Sequence, residues 1–133
     1  PIQHHSVYDS YRVSLRGATE NTITEIFGKV LNSARGVVDV AQKSSKLVPD
    51  NPQRCLSIWT VNVKNTDIFR LQTNINKMIN DVIAADGNII LKGISYRYSR
   101  YEVELLNGIR PGSTTSKSIE FIIDPELARD REF

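Results

Sequence analysis

The chain has 133 residues, a formal net charge of +2, 40% apolar residues and 24% charged residues. That length suits one domain that buries roughly two-thirds of its unfolded surface, and the composition excludes a disordered chain. The small charge argues against a dedicated phosphate binder, and the single cysteine, Cys55, rules out an intrachain disulfide and a Cys-based metal cluster.

Tyr11, Val13 and Leu15 alternate with Arg12, Ser14 and Arg16, and this period of two predicts a half-buried strand ended by Gly17. Thr22-Ile23-Thr24-Glu25 has the spacing of a capping box. From there Ile23, Ile26, Phe27, Val30, Leu31, Ala34, Val37, Val38 and Ala41 recur at three- and four-residue steps, predicting one amphipathic helix of about six turns. Gly28 and Gly36 would each weaken it by roughly 1 kcal/mol, so close packing is expected at both. Ser44-Ser45-Lys46 and Pro49 to Pro52 read as a loop.

Cys55 to Val63 reads as a strand with apolar residues on both faces, Leu56 and Ile58 on one and Trp59, Val61 and Val63 on the other, the mark of a strand covered on both sides. Cys55 itself reads as a small buried hydrophobe. Asn65-Thr66-Asp67 offers N-cap chemistry to a second amphipathic helix built on Ile68, Leu71, Ile75, Met78, Ile79, Val82 and Ile83, and Gly87 follows its end. Residues 88–98 and 101–106 read as two strands or one bulged strand. Asn107-Gly108 is a turn pair, Arg110 to Ser113 a mobile loop, and Lys117 to Asp124 a last strand stopped by Pro125. The order β-α-β-α-β-β-β predicts one α+β domain over residues 1–133, a mainly antiparallel sheet with two amphipathic helices on one face, and extended arms at 1–9 and 125–133.

Catalytic signatures are scarce. No glycine-rich phosphate loop, Gly-x-Ser-x-Gly or His-Glu-x-x-His is present, and no cofactor or metal site is expected. His4 and His5 are adjacent and would point to opposite sides of an extended segment, unlike converging ligands. Asp124, Glu126, Asp130 and Glu132 read as a solvated charge run. The opening Pro1-Ile2 resembles that of the tautomerases, which use an N-terminal proline as a general base. Here the first convincing strand starts only at Tyr11, so retention of Pro1 after methionine removal is the favoured explanation. The start of the chain lacks the layout of a secretory signal, and no apolar run reaches the ~20 residues of a membrane span.

The most unusual local composition is Tyr96-Arg97-Tyr98-Ser99-Arg100-Tyr101, with Arg110 beyond it. Tyrosine and arginine are enriched at protein interfaces, so Tyr96, Arg97, Tyr98, Arg100, Tyr101 and Arg110 are the candidate interface residues. Rings interleaved with arginines also suit nucleic acid, the runner-up reading.

A family resemblance adds to this. Ser57-Ile58-Trp59-Thr60-Val61-Asn62-Val63, a polar turn, the helix from Thr66 to Ala85 and a final apolar strand from Ser118 to Ile123 together resemble the tail-terminator and tail-completion (neck) proteins of bacteriophages. The resemblance implies a non-enzymatic structural subunit that forms a homo-oligomeric ring with protein partners, in the cytoplasm or the virion. The alternatives are a small nucleic-acid-binding protein and a tautomerase-like enzyme using Pro1.

Overall fold

The alternating residues around Val13 form β1 (Tyr8–Arg16), the third strand across a five-stranded sheet in a computed structural model that describes residues 8–48 and 50–123. Helix α1 (Asn21–Ser33) follows, then β2 (Val37–Lys46), a short 3-10 turn at Pro52–Arg54 and β3 (Leu56–Lys64). Next come α2 (Ile68–Ala84), a hairpin of β4 (Asn88–Leu91) and β5 (Ile94–Arg97), α3 (Arg100–Asn107), β6 (Ile109–Thr114) and β7 (Ser118–Ile123). The main sheet runs β2-β3-β1-β7-β6. Among the described strands of this sheet only β1 and β7 pair in parallel; β1–β3, β2–β3 and β6–β7 are antiparallel. The α+β class and the mainly antiparallel sheet expected from the sequence are therefore present in the expected order, and the described residues form two strands and one helix more than the seven expected elements.

One sheet face carries the core. Val13, Leu15, Trp59, Val61, Ile119 and Phe121 alternate inward and are buried. Against them lie Ile26, Phe27, Val30 and Leu31 of α1, Leu71, Ile75 and Ile79 of α2, and Val103, Leu105 and Leu106 of α3. The Phe27 ring stands edge-on to both Trp59 and Phe121, each with centroids 5.3 Å apart. Such aromatic contacts add to the area that the rings bury.

Several local expectations need correction. The predicted six-turn helix ends at Ser33, because Gly36 adopts φ +89° and turns the chain, so that Val37, Val38, Val40 and Ala41 enter β2. β-Branched residues favour the pleated surface, and tertiary pairing with β3 overrides the helical spacing. Thr22 does not cap α1. The N-cap is Glu20, without a side-chain cap, and inside the first turn the Thr24 hydroxyl donates to the Asn21 carbonyl at 2.8 Å. Strand β3 is covered on one face only, since Leu56, Ile58, Thr60 and Asn62 remain half-exposed. The predicted strand over 101–106 is α3. It opens with Ser99 and Glu102 in a true capping box, while Arg110 to Ser113 belongs to β6 rather than to a loop.

At α2 the prediction stands: Asp67 caps it, accepting from the Arg70 N–H at 2.7 Å. Cys55 is buried, with Sγ accepting from the Val48 N–H at 3.1 Å. Of the proposed arms, Tyr8 and Asp9 belong to β1. Pro1, His4, His5 and the charged run from Asp124 onward lie outside the described residues.

Candidate interface

The tyrosine–arginine segment divides among three environments. Tyr96, on β5, is half-buried beside the helical layer and stacks on Tyr98 with centroids 5.8 Å apart and planes 6° from parallel. Lys29 of α1 places its Nζ 5.7 Å from the Tyr96 ring centre, a cation–π contact. Tyr98 is only 6% exposed and packs with the core, so it is not a surface anchor. Its hydroxyl is buried without a hydrogen-bond partner among the described residues, and burial, followed by Tyr96 and Glu102, pushes its pKa up to about 12.

Arg97 is exposed at the end of β5. Arg100 forms an exposed i,i+4 ion pair with Glu104 at 3.7 Å on α3. Tyr101, half-exposed, donates its hydroxyl hydrogen bond to Glu20 and so ties α3 to the entrance of α1. Arg110 pairs in register with Ile122 on the opposite, uncovered face of the sheet. The six residues thus do not converge on one surface. The sequence read here as two strands or one bulged strand, but the capping serine at position 99 starts a helix and rotates the later side chains away from the earlier ones.

A different surface emerges at the sheet margin. β2 is an end strand of ten residues, and beyond Val37 its residues are exposed or half-exposed on both faces. Its outer edge pairs with no strand among the described residues. Val38 is 47% exposed, and the neighbouring hairpin carries Ile90 at 69% and Ile94 at 57%. Lys92, at the hairpin turn, donates to the Val37 carbonyl at 3.2 Å, which brings the hairpin to the start of β2. Between β2 and α1 lies an open groove of about 570 Å³ with Trp59 and Gly28 at its base and Val40, Gln42 and Tyr96 on its walls. A strand added along β2 would find main-chain partners at the edge and this groove for a side chain.

The opposite sheet margin is blunted. β6 contains Pro111, which has no N–H to offer, and a register shift follows between Pro111 and Thr114. The uncovered sheet face itself is mixed. Ser10, Asn62 and Asp39 form a hydrogen-bonded ladder across β1, β3 and β2, and Arg16 meets Glu120 at 3.4 Å, beside half-exposed Ile58 and Ile122.

The signal for the β2 edge was present as three valines among the four residues after Gly36, but helical spacing hid it. Among the described residues no group of three or more His, Cys, Asp or Glu side chains could hold a metal ion, and no helix is long and apolar enough to cross a membrane. No family model, curated protein or solved structure matches the chain, so its own geometry carries the functional argument.

Proposed function

We propose that this chain is a non-enzymatic structural or assembly subunit that forms a homo-oligomer through protein–protein contacts. The specific form suggested by the sequence resemblance is a ring subunit of the bacteriophage tail-terminator or neck kind, working in the cytoplasm or the virion. The observation that carries the assembly reading is β2, a long end strand with a free outer edge, bordered by exposed Val38, Ile90 and Ile94. Free edges template pairing with another chain, and large apolar side chains grouped at a surface mark interaction sites. Tyr96 and Arg97, on β5 beside this margin, are the members of the expected interface set placed to join it. The segments that carry the resemblance run as β3, α2 and β7, an arrangement compatible with that family reading.

The experiment is light scattering coupled to size exclusion over a range of concentrations, followed by electron microscopy of the largest species. A closed, symmetric oligomer of defined size is expected. A chain that stays monomeric up to its solubility limit overturns the homo-oligomer, and particles without rotational symmetry overturn the ring.

A further inference from the structure

We infer that the pocket between the α1–β2 turn and the start of α2 binds the phosphodiester backbone of single-stranded nucleic acid, with Arg35, Lys64 and Arg70 as its cations and Phe69 as a stacking ring at its rim. The inference is independent of the assembly reading and concerns a different part of the surface.

The pocket measures about 650 Å³, and three separate segments form its walls: Arg35-Gly36, Lys64-Asn65-Thr66, and the first turns of α2 from Arg70 to Asn74. Its frame is fixed by hydrogen bonds. The Lys64 N–H donates to the Gly36 carbonyl at 2.9 Å, Asn74 Nδ2 to the Arg35 carbonyl at 2.9 Å, and the Thr66 hydroxyl to the Lys64 carbonyl at 2.9 Å. Asn65, at φ +52°, supplies the left-handed residue that the β3–α2 turn requires. Three cations are thereby held around one concavity by backbone that is itself tied together.

Those cations are uncommitted. Arg16, Lys77 and Arg100 each meet a carboxylate, whereas Arg35, Lys64 and Arg70 form no ion pair with a described residue. All three are exposed. Asp67, the carboxylate of the same turn, caps α2 by accepting from the Arg70 N–H and is not a wall residue, so the three cations of the pocket outnumber the one acid beside it. Like charges gathered with no partner repel one another and raise the local affinity for a polyanion.

The wall chemistry selects the anion. Apart from the cations, Asn65, Thr66, Thr73 and Asn74 offer polar groups, and no large apolar side chain forms a floor to receive a peptide anchor. Phe69, 68% exposed, is not a wall residue but lies one helical turn before the wall residue Thr73, whose hydroxyl donates to its carbonyl at 3.0 Å, so its ring borders the pocket on the same side of α2. A cationic groove with an exposed ring at its margin is the arrangement that tracks a single strand, because phosphates sit on the cations while an unstacked base lies on the ring. A duplex keeps its bases stacked inside and presents no face to Phe69.

The test is fluorescence anisotropy of a labelled oligothymidylate with the full chain, repeated over a salt series. Binding is expected at low salt, with log affinity falling against log salt at a slope of about −2 for three neutralised phosphates. Arg35→Gln, Lys64→Gln and Arg70→Gln, each checked for an unchanged melting curve, are expected to reduce that slope by about 0.7 each. Phe69→Ala is expected to weaken binding by about fivefold or more, and Arg110→Gln, on the uncovered sheet face, to leave it unchanged. The inference is overturned by absence of binding at low salt, or by binding insensitive to the three glutamine variants. Equal affinity for duplex DNA with no effect of Phe69→Ala overturns it as well.

Discussion

Gly36 passes directly against the side chain of Thr66: a methyl group on Gly36 would overlap the Thr66 hydroxyl, and the backbone there has φ +89°. Both the left-handed conformation and the overlap oppose any side chain, so Gly36→Ala is expected to lower stability by at least about 2 kcal/mol. Gly28 is the opposite case. It lies inside α1, and a Cβ would reach Trp59 Nε1 at an ordinary contact distance of 3.4 Å. Gly28→Ala is therefore expected to raise stability by about 0.5–1 kcal/mol through helix propensity. Urea unfolding of the two variants reads both signs; stabilisation by Gly36→Ala would show that the turn is not built as described.

These two glycines also show how far the fold was legible. Periodicity alone placed β1, the face of α1, α2 with its Asp67 cap, β3 and β7. It failed where a period of 3.6 continued by coincidence through Val37, Val38 and Ala41, since nothing in a single sequence marks Gly36 as left-handed. It failed again at Ser99-Arg100-Tyr101-Glu102, whose capping-box spacing was masked by a tyrosine–arginine alternation that looked like a strand. The candidate sites were less legible still. Arg35 is far in the chain from Lys64 and Arg70, which flank the β3–α2 turn, and it meets them only because Gly36 packs on Thr66 and Asn74 holds the Arg35 carbonyl. A net charge of +2 averages such a local cluster away.

Phe27 touches both ends of the core, edge-on to Trp59 of β3 and to Phe121 of β7. It is fully buried. Phe27→Ala removes that burial and leaves a cavity between rings held by separate strands, so a loss of about 3–5 kcal/mol is expected. Denaturant unfolding measures it, and a loss below about 1 kcal/mol would mean that the helix face is wrongly assigned.

Tyr98 makes stability depend on alkaline pH. Burial favours the neutral phenol, so the folded chain keeps this proton up to about pH 12 while the unfolded chain releases it near the ordinary value of 10.0. Stability is accordingly complete below the unfolded value and falls as pH rises from about 10 towards 12, with a limiting slope of about 1.4 kcal/mol per pH unit. Tyr11, whose pKa is also raised, chiefly by burial and then by Asp9 and Asp67, acts in the same direction. Tyr98→Phe should make the fall shallower. It should cost nothing at neutral pH, because the buried hydroxyl it removes has no hydrogen-bond partner among the described residues. Unfolding curves across this range check the sign, and an unchanged slope in Tyr98→Phe would exclude Tyr98 as the cause.

Ser99 and Glu102 cap α3 reciprocally: the Ser99 hydroxyl accepts from the Glu102 N–H at 3.2 Å and the Glu102 carboxylate from the Ser99 N–H at 2.8 Å. A helix of eight residues has little intrinsic stability, so this cap matters to the whole segment. Ser99→Ala is expected to cost about 1 kcal/mol, and amide exchange should quicken first in α3. Equal protection in α3 of the variant and the parent would contradict a capping role.

The β2 margin gives the most direct test of assembly, because its outward residues can be changed without disturbing the core. Val38 and Ile90 are 47% and 69% exposed, so Val38→Lys and Ile90→Lys are each expected to shift stability by no more than about 0.5 kcal/mol. Lysine on an edge strand opposes pairing with another chain, since a charge must lose its water when the edge is covered. If copies join along β2, each variant should raise the concentration at which the oligomer falls apart by at least about tenfold, and the double variant should be monomeric. Scattering at matched concentrations reads this directly. Oligomers that persist unchanged in the double variant would move the interface away from β2, and Arg110→Ala would then ask whether the uncovered sheet face holds the copies together instead. Tyr98→Ala cannot serve in that comparison. Tyr98 lies in the core, and loss of assembly there would report only a weakened fold.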